Sequence, residues 1–320
     1  MPDLIDYDEF GLFHENAEEY GLPYDAPPAV RRTAVAVDGE RQLSALVWGD
    51  GPAELLLVHG GAQNAHTWDT VAMALRAGNG GAPLVAVDLP AHGHSDGARP
   101  VPGGRGPVAF ADDLSAVVAT LAPDAAAVVG MSLGGLTSIA LADAYPQLVR
   151  KLVLVDVTPG VNGEKAKAIS DFVRGPATFP DFDALLQRTI EHNPTRSVAS
   201  LRRGILHNAV QQPDGSWVWR YQRSIVEHFE GTDREAVPEP PADDQQPYHA
   251  ALWDALERVQ VPILLCRGML KQSVVDDDDV AELLRRQPNA EVVEFDQAGH
   301  SIQGDMPVEL AETIRRFALG

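Results

Sequence analysis

The stretch Val128-Val129-Gly130-Met131-Ser132-Leu133-Gly134-Gly135 joins two different hydrophobic patterns. Upstream, Ala125 to Val129 is a short continuous apolar run, the pattern of a strand buried on both faces. Downstream, Leu136 to Ala144 has helical character and stops at Pro146. Between them lies Gly-x-Ser-x-Gly. A strand, a sharp turn and a helix in this order lift a serine hydroxyl above the end of a sheet. The turn holds its central residue at a strained backbone angle, and small flanking residues let strand and helix pack closely. Ser132 is therefore a candidate nucleophile.

Working outward, the same strand signal recurs on both sides. Leu55–Val58 runs into His59-Gly60-Gly61, Leu84–Val87 is closed by Asp88-Leu89-Pro90-Ala91-His92-Gly93-His94-Ser95, and Leu152–Val155 ends in Asp156. Later, Val261–Arg267 and Glu291–Phe295 resume the pattern, the second leading to Gly299-His300. Helical spacing separates these runs at Trp68–Leu75, at Ala111–Leu121 with its stripe Leu114, Val117, Val118 and Leu121, at Val280–Arg286 and at Leu310–Phe317. Asp276 to Asp279 suit the start of the third of these helices, as caps and as negative charge at its positive end. Val30–Val37 and Gln42–Trp48 read as a strand pair turning at Asp38-Gly39. Apolar strands alternating with helices call for a mostly parallel sheet covered on both faces, an α/β fold.

The rhythm breaks between residues 158 and 249. Ala166–Val173, Phe182–Asn193 and Val198–Ala209 read as helices, a Pro-Asp-Gly-Ser turn precedes Trp217, Trp219 and Tyr221, and 235–247 reads as a proline- and acid-rich linker. This block is expected to be a mainly helical cap, residues 158–249, inserted into a core made of 1–157 and 250–320. Residues 97–107 read as a Gly/Pro-rich loop, and residues 1–29 as an arm lying over the surface or reaching toward a partner. No internal repeat is visible.

Composition narrows the function classes. The chain of 320 residues carries a formal net charge of -21, which argues against nucleic acid, anionic lipid or a polyanionic substrate. No stretch approaches a membrane span, and the first residues, with no basic or long apolar segment, do not read as a signal peptide. The single cysteine, Cys266, lies in an apolar run and reads as a buried thiol, compatible with a cytoplasmic setting.

A serine hydroxyl needs a base within hydrogen-bond reach, and the base needs an orienting acid. His300, beside Gly299 in a loop after the last strand, suits the base. His59, His92 and His94 end strands at the same rim and are expected to shape the pocket or brace its loops. Taken together, His59-Gly60-Gly61, the Asp88–Ser95 segment, the Ser132 turn and Gly299-His300 resemble the α/β-hydrolase superfamily, more narrowly its capped, esterase-like members. The resemblance covers roughly residues 30–157 and 255–320. It implies an α/β-hydrolase fold, with Ser132 as nucleophile, His300 as base, and an oxyanion hole made by the backbone N–H groups of Leu133 and Gly61. Many relatives carry the acid just after the strand that is here Val261–Arg267, but Gly268 to Ser273 contain no carboxylate. Asp156, at the end of the preceding strand, fits an alternative site in the family; Asp276 or a neighbour is the other candidate.

His66 and Trp68 follow the oxyanion loop and are candidates to touch substrate, while Trp217, Trp219, Arg220 and Tyr221 of the cap, together with Phe172, Phe179 and Phe182, are candidates to line the acyl or alcohol pocket. An aromatic cluster in a small cap also reads as that cap's own core. No residue set has the spacing of a zinc or iron site, and the glycines lack both a P-loop lysine and a dinucleotide pattern, so no metal or cofactor is expected. The leading expectation is a serine hydrolase that cleaves a small or medium carboxylic ester or lactone through an acyl-enzyme. Carbon–carbon bond hydrolysis of a diketone, acyl transfer or cyclisation in secondary metabolism, and a non-catalytic ligand receptor remain alternatives. The expected partner is a small hydrophobic ester-like substrate, and a homo-oligomer is left open.

Overall fold

The computed structural model describes residues 5–77, 81–98, 106–161, 164–221 and 246–320. The strands are β1 (Val30–Ala36), β2 (Gln42–Trp48), β3 (Leu55–Val58), β4 (Leu84–Val87), β5 (Ala127–Met131), β6 (Leu152–Val155), β7 (Thr178–Phe179), β8 (Ala209–Gln211), β9 (Trp217–Trp219), β10 (Ile263–Gly268) and β11 (Glu291–Phe295). Eight of them form one sheet in the order β1-β2-β4-β3-β5-β6-β10-β11. β2 runs antiparallel to β1 and β4, and every other neighbouring pair is parallel. The continuous apolar runs are strands with both faces covered. Along β3, Leu56 and Val58 point into one core, and Leu55 and Leu57 into the other.

The first core is closed by α3 (Pro107–Leu121), α4 (Leu133–Ala144), α8 (Gln246–Arg258) and α9 (Asp277–Arg286). The second is closed by α1 (Phe13–Tyr20), α2 (Asp69–Arg76) and α11 (Pro307–Ala318), which follows the short helix α10 (Ile302–Asp305). α9 starts earlier than its apolar stripe. Asp276 accepts from the Asp279 N–H, and the Asp279 carboxylate accepts from the Asp276 N–H, so the acidic run forms a reciprocal cap.

The insertion contains α5 (Lys167–Val173), α6 (Phe182–His192) and α7 (Val198–Asn208), as the spacing anticipated. It also contains an antiparallel sheet, β7-β9-β8, which sequence periodicity did not reveal. β8 and β9 are joined through the Pro-Asp-Gly-Ser turn, where Gly215 takes φ +91°. α8 packs on α4, and its Leu252, Trp253 and Leu256 join the first core. Most of the 235–247 linker reading, through residue 245, lies outside the described residues, as do 99–105 of the 97–107 loop reading. Among the described residues, no helix is long and apolar enough to cross a membrane.

The N-terminal arm is a built part of the fold. Phe13 is 1 % exposed and meets the Trp48 ring edge-on, with centroids 5.0 Å apart. Along its length the arm reaches the cap. The Ile5 N–H donates to Gln211, Tyr7 donates to His207, Glu15 pairs with Arg202, and Glu19 pairs with the buried Arg203. Phe13→Ala should therefore lower unfolding stability by about 3–5 kcal/mol, the range for emptying a buried aromatic site. Urea denaturation at pH 7 measures it. A loss below about 0.5 kcal/mol, the ordinary size of a surface change, would mean that the arm is only laid on the surface.

Candidate active site

Ser132 sits between β5 and α4 with φ +50° and ψ -122°. A non-glycine residue is held there only when its surroundings leave no alternative. A Cβ on Gly130 would lie 2.5 Å from the Gly134 carbonyl oxygen and 2.6 Å from the Gly135 Cα. A Cβ on Gly134 would run into the carbonyl oxygens of Val58 and His59. Strand, turn and helix thus touch backbone to backbone, which the two glycines permit. Leu133 opens α4, and the first N–H groups of a helix have no acceptor within it.

Sheet register sets the next element. Met131 pairs with Val155, so Ser132 and Asp156 follow directly paired residues at the same rim. Asp156, at φ +46°, has no solvent exposure. Its Oδ1 accepts from the Gly268 N–H at 2.9 Å and from the Ser273 hydroxyl at 2.6 Å. Its Oδ2 accepts from the Val274 N–H at 3.1 Å and from His300 Nδ1 at 2.9 Å. His300 keeps 11 % of its side chain accessible. With Nδ1 donating to the carboxylate, a neutral ring presents Nε2 as an acceptor. Asp276 is occupied elsewhere, since it caps α9 and pairs with Lys165 at 2.7 Å.

The turn carrying His300 is gripped from three sides. Asp305 accepts from the Gly299 N–H at 2.8 Å and from the hydroxyl of Thr195, a cap residue, at 2.9 Å. Tyr20 of the arm donates to the Gly304 carbonyl at 3.1 Å. Neither Asp305 nor Thr195 was singled out in the sequence, because each acts through a partner distant along the chain.

The loop after β3 leans on the serine turn. A Cβ on Gly60 would lie 3.1 Å from the Ser132 Cβ, and one on Gly61 would lie 3.9 Å from Leu133 Cδ2. Ala62, at φ +59°, is held by its N–H donating to His92 Nε2 at 3.1 Å, while its carbonyl accepts from Asn208 of α7 at 2.7 Å. His59 Nε2 accepts from the Leu89 N–H at 2.9 Å. Burial pulls the His92 pKa down to about 3 and lowers that of His59, so both rings stay neutral and can accept. They brace the two loops.

The remaining candidates divide. Tyr221 and Val173 pack with Ala62, joined by Phe172 and Trp219, so these cap residues lie against the loop beside Gly61. Trp217 is buried among Phe179, Leu185, Ile205 and Leu206, inside the cap's own core. Trp68 has no exposure and packs in the second sheet core, which corrects the expectation that it touches substrate. His66 is 8 % exposed within a polar cluster between arm, core and cap, which likewise occupies it elsewhere.

In that cluster His66 Nδ1 donates to Asp69 at 2.8 Å and Nε2 donates to Glu9 at 3.0 Å. Its ring stacks on His207 of α7, with centroids 3.9 Å and planes 9° apart. Side-chain atoms of His66, Asp69 and His207 lie within 4.8 Å of one another, close enough to suggest a metal site. The stacking argues otherwise: nearly parallel rings hold their lone pairs in separate planes, and a tetrahedral ion needs them to converge. The cluster holds a proton instead. Burial works against a charged His66, but Asp69 and Glu9 outweigh it and lift the pKa to about 9. Burial and the charge on His66 push the His207 pKa well down, and Tyr7 donates to its Nδ1 at 2.6 Å.

Comparison with known proteins agrees with this architecture. A family model described as the alpha/beta hydrolase fold matches residues 54–307. Esterase Rv0045c of Mycobacterium tuberculosis is 40% identical over 320 residues, covering 98% of this chain and 96% of that protein. A solved structure of that esterase matches with a TM-score of 0.79 at 39% identity, over 99% of this chain and 100% of that one. The 3-hydroxybutyrate-oligomer hydrolase of Cupriavidus necator is 30% identical over 275 residues, 82% of this chain and 88% of that protein. The structure of E-2-(acetamidomethylene)succinate hydrolase matches with a TM-score of 0.73 at 25% identity, over 91% of this chain and 100% of that one.

The protonated His66 makes stability depend on pH with a definite sign. Its folded pKa, about 9, lies above the ordinary histidine value of 6.5. Its contribution is therefore complete below about pH 6.5, declines as pH rises and is gone above about pH 9. The unfolding midpoint should fall between pH 6.5 and 9, with the fall largely absent in His66→Gln. Equal pH slopes for the two proteins would show that His66 is neutral in the fold.

Proposed function

The chain belongs to the alpha/beta hydrolase fold family, and from that premise we propose that it is an esterase in which Ser132 is the nucleophile, His300 the general base and Asp156 the acid that orients the base. One observation carries this reading: the buried Asp156 carboxylate accepts the His300 Nδ1 proton at 2.9 Å, at the rim where Ser132 stands in its strained turn. The 40% identity to an esterase across nearly the whole chain supports the reaction class.

In this mechanism the ester carbonyl is attacked by Ser132 Oγ while His300 Nε2 takes the hydroxyl proton. Asp156 holds the ring in the required tautomer and stabilises the imidazolium as it forms. The negative charge that develops on the carbonyl oxygen is met by the N–H groups of Leu133 and Gly61. Backbone donors suit this because they are in place before the charge appears. Collapse of the intermediate expels the alcohol, which takes the proton from His300 and leaves an acyl-enzyme. Water, deprotonated by the same histidine, then releases the acid. Phe172, Val173, Trp219 and Tyr221 would wall an apolar site above the Ala62 loop, which suits the hydrophobic part of a small or medium ester or lactone.

A fluorophosphonate probe should label Ser132, and the label should be absent from Ser132→Ala by peptide mass spectrometry. Asp156→Asn should reduce turnover of a p-nitrophenyl ester by on the order of 10⁴-fold, as loss of the acid does in the serine-protease example. Asp276→Asn should turn over almost normally and lose about 0.3–1 kcal/mol of stability, because Asn caps as Asp does and only the charge at the helix start is lost. The reverse pair of outcomes would move the acid to Asp276.

A further inference from the structure

We infer that Ser273 is a positioning residue for the reaction: its hydroxyl, donated to Asp156 Oδ1, holds the carboxylate that orients His300. The inference rests on the reading of Asp156 as the acid and goes a step beyond it.

The direction of the hydroxyl proton follows from its neighbours. Ser273 Oγ lies 2.6 Å from Asp156 Oδ1 and 3.3 Å from the Val275 carbonyl oxygen, and it accepts from the Val275 N–H at 3.2 Å. The one proton goes to the nearer acceptor, which is also charged, because a charge-assisted hydrogen bond is the stronger of the two. The lone pair facing Val275 N–H is used, so the hydroxyl is held from both sides. Its own backbone N–H donates to the Leu270 carbonyl at 2.9 Å, which fixes the turn that presents it.

Asp156 thereby receives four donors, two on each oxygen: Gly268 N–H and Ser273 on Oδ1, Val274 N–H and His300 on Oδ2. Three of the four come from the last residue of β10 and the loop that follows it. Two of those are backbone groups, available to any residue at their positions. Ser273 is the one side chain of this loop among the four, and therefore the one that substitution can remove.

The same loop also sets where His300 stands. The Met269 N–H donates to the Phe295 carbonyl at 3.1 Å and the Leu270 N–H to the Ala298 carbonyl at 3.0 Å. A Cβ on Gly268 would run into the carbonyl oxygens of Ala298 and Gly299. One loop thus grips Asp156 with one set of groups and the turn carrying His300 with another, and so fixes the separation of the pair. Without the Ser273 hydroxyl, Oδ1 keeps only one donor. The carboxylate is then freer to rotate about the bond that aims Oδ2 at Nδ1, and the imidazolium loses part of its alignment as it forms.

The test measures kcat and KM for one p-nitrophenyl ester, together with the rate of fluorophosphonate labelling of Ser132. Ser273→Ala should lower kcat and the labelling rate by about tenfold or more, the size of one hydrogen bond to a charged group expressed as a rate, with KM within about twofold. Ser273→Thr, which retains the hydroxyl, should recover most of the loss. In an Asp156→Asn background, Ser273→Ala should cost little further, because its effect runs through the carboxylate. Should the alanine protein fail to fold, Ser273→Cys, similar in size but a weak donor, should show the same fall in kcat. Parental kcat in Ser273→Ala beside a collapsed Asp156→Asn overturns the role of Ser273 alone. Near-parental activity in Asp156→Asn overturns the reading of the acid, and the role of Ser273 with it. An additive double variant, or a loss confined to KM, shows that Ser273 merely shapes the loop and overturns the inference.

Discussion

A carboxylate cut off from solvent must find all of its hydrogen bonds inside the protein, or its charge is too costly to keep. Asp156 meets this condition through an arrangement that no single element could supply. Parallel pairing of β5, β6 and β10 brings it between the serine turn and the loop after β10. That loop contributes a hydroxyl and a peptide N–H, the last residue of β10 contributes a second N–H, and the turn after β11 contributes the His300 ring. Loosening either partner would leave a buried charge short of donors. The need to satisfy this one group therefore ties together three strands, two loops and the geometry of the proposed base.

Asp88 meets the same condition differently. It ends β4 as Asp156 ends β6, and it too has no exposure. Its oxygens accept from the Ala65 and His94 N–H groups and from Arg32 at 2.7 Å. Arg32 continues to Glu9 in the arm, and Glu9 to His66. The result is a charged seam running from the sheet into the arm and, through the His66–His207 stack, into the cap. One rim aspartate is bound to a titratable ring that stays partly accessible and the other to a guanidinium that cannot give up its proton. The first arrangement suits proton transfer, the second suits fastening.

The cap is joined to the rim that carries Ser132 by more than its apolar face. Asn208 holds the Ala62 carbonyl, Asn64 donates to the His207 carbonyl, and Thr195 holds Asp305. The two loops on which the proposed chemistry depends are each fastened to the insertion by hydrogen bonds. The placement of the proposed catalytic groups is for that reason tied to the insertion.

What the sequence alone determined is what neighbouring residues decide among themselves. The buried strands, their alternation with helices, the strained Ser132 turn and the acidic cap of α9 all rest on periodicity or contacts a few residues apart, and all were legible. The short strands of the cap were not, since two or three residues carry no measurable alternation. α8 was missed because it begins beside a proline- and acid-rich stretch. His66 and Trp68 looked like pocket residues by their place after a loop, whereas a stack on His207 and burial in the second sheet core govern them. The sequence also left two aspartates competing for the same histidine. Only the tertiary structure decided that Asp156, 144 positions away, receives the His300 proton while Asp276 serves a helix end. The physical reason is that a buried hydrogen bond depends on sheet register and loop closure, which bring together groups that no local pattern links.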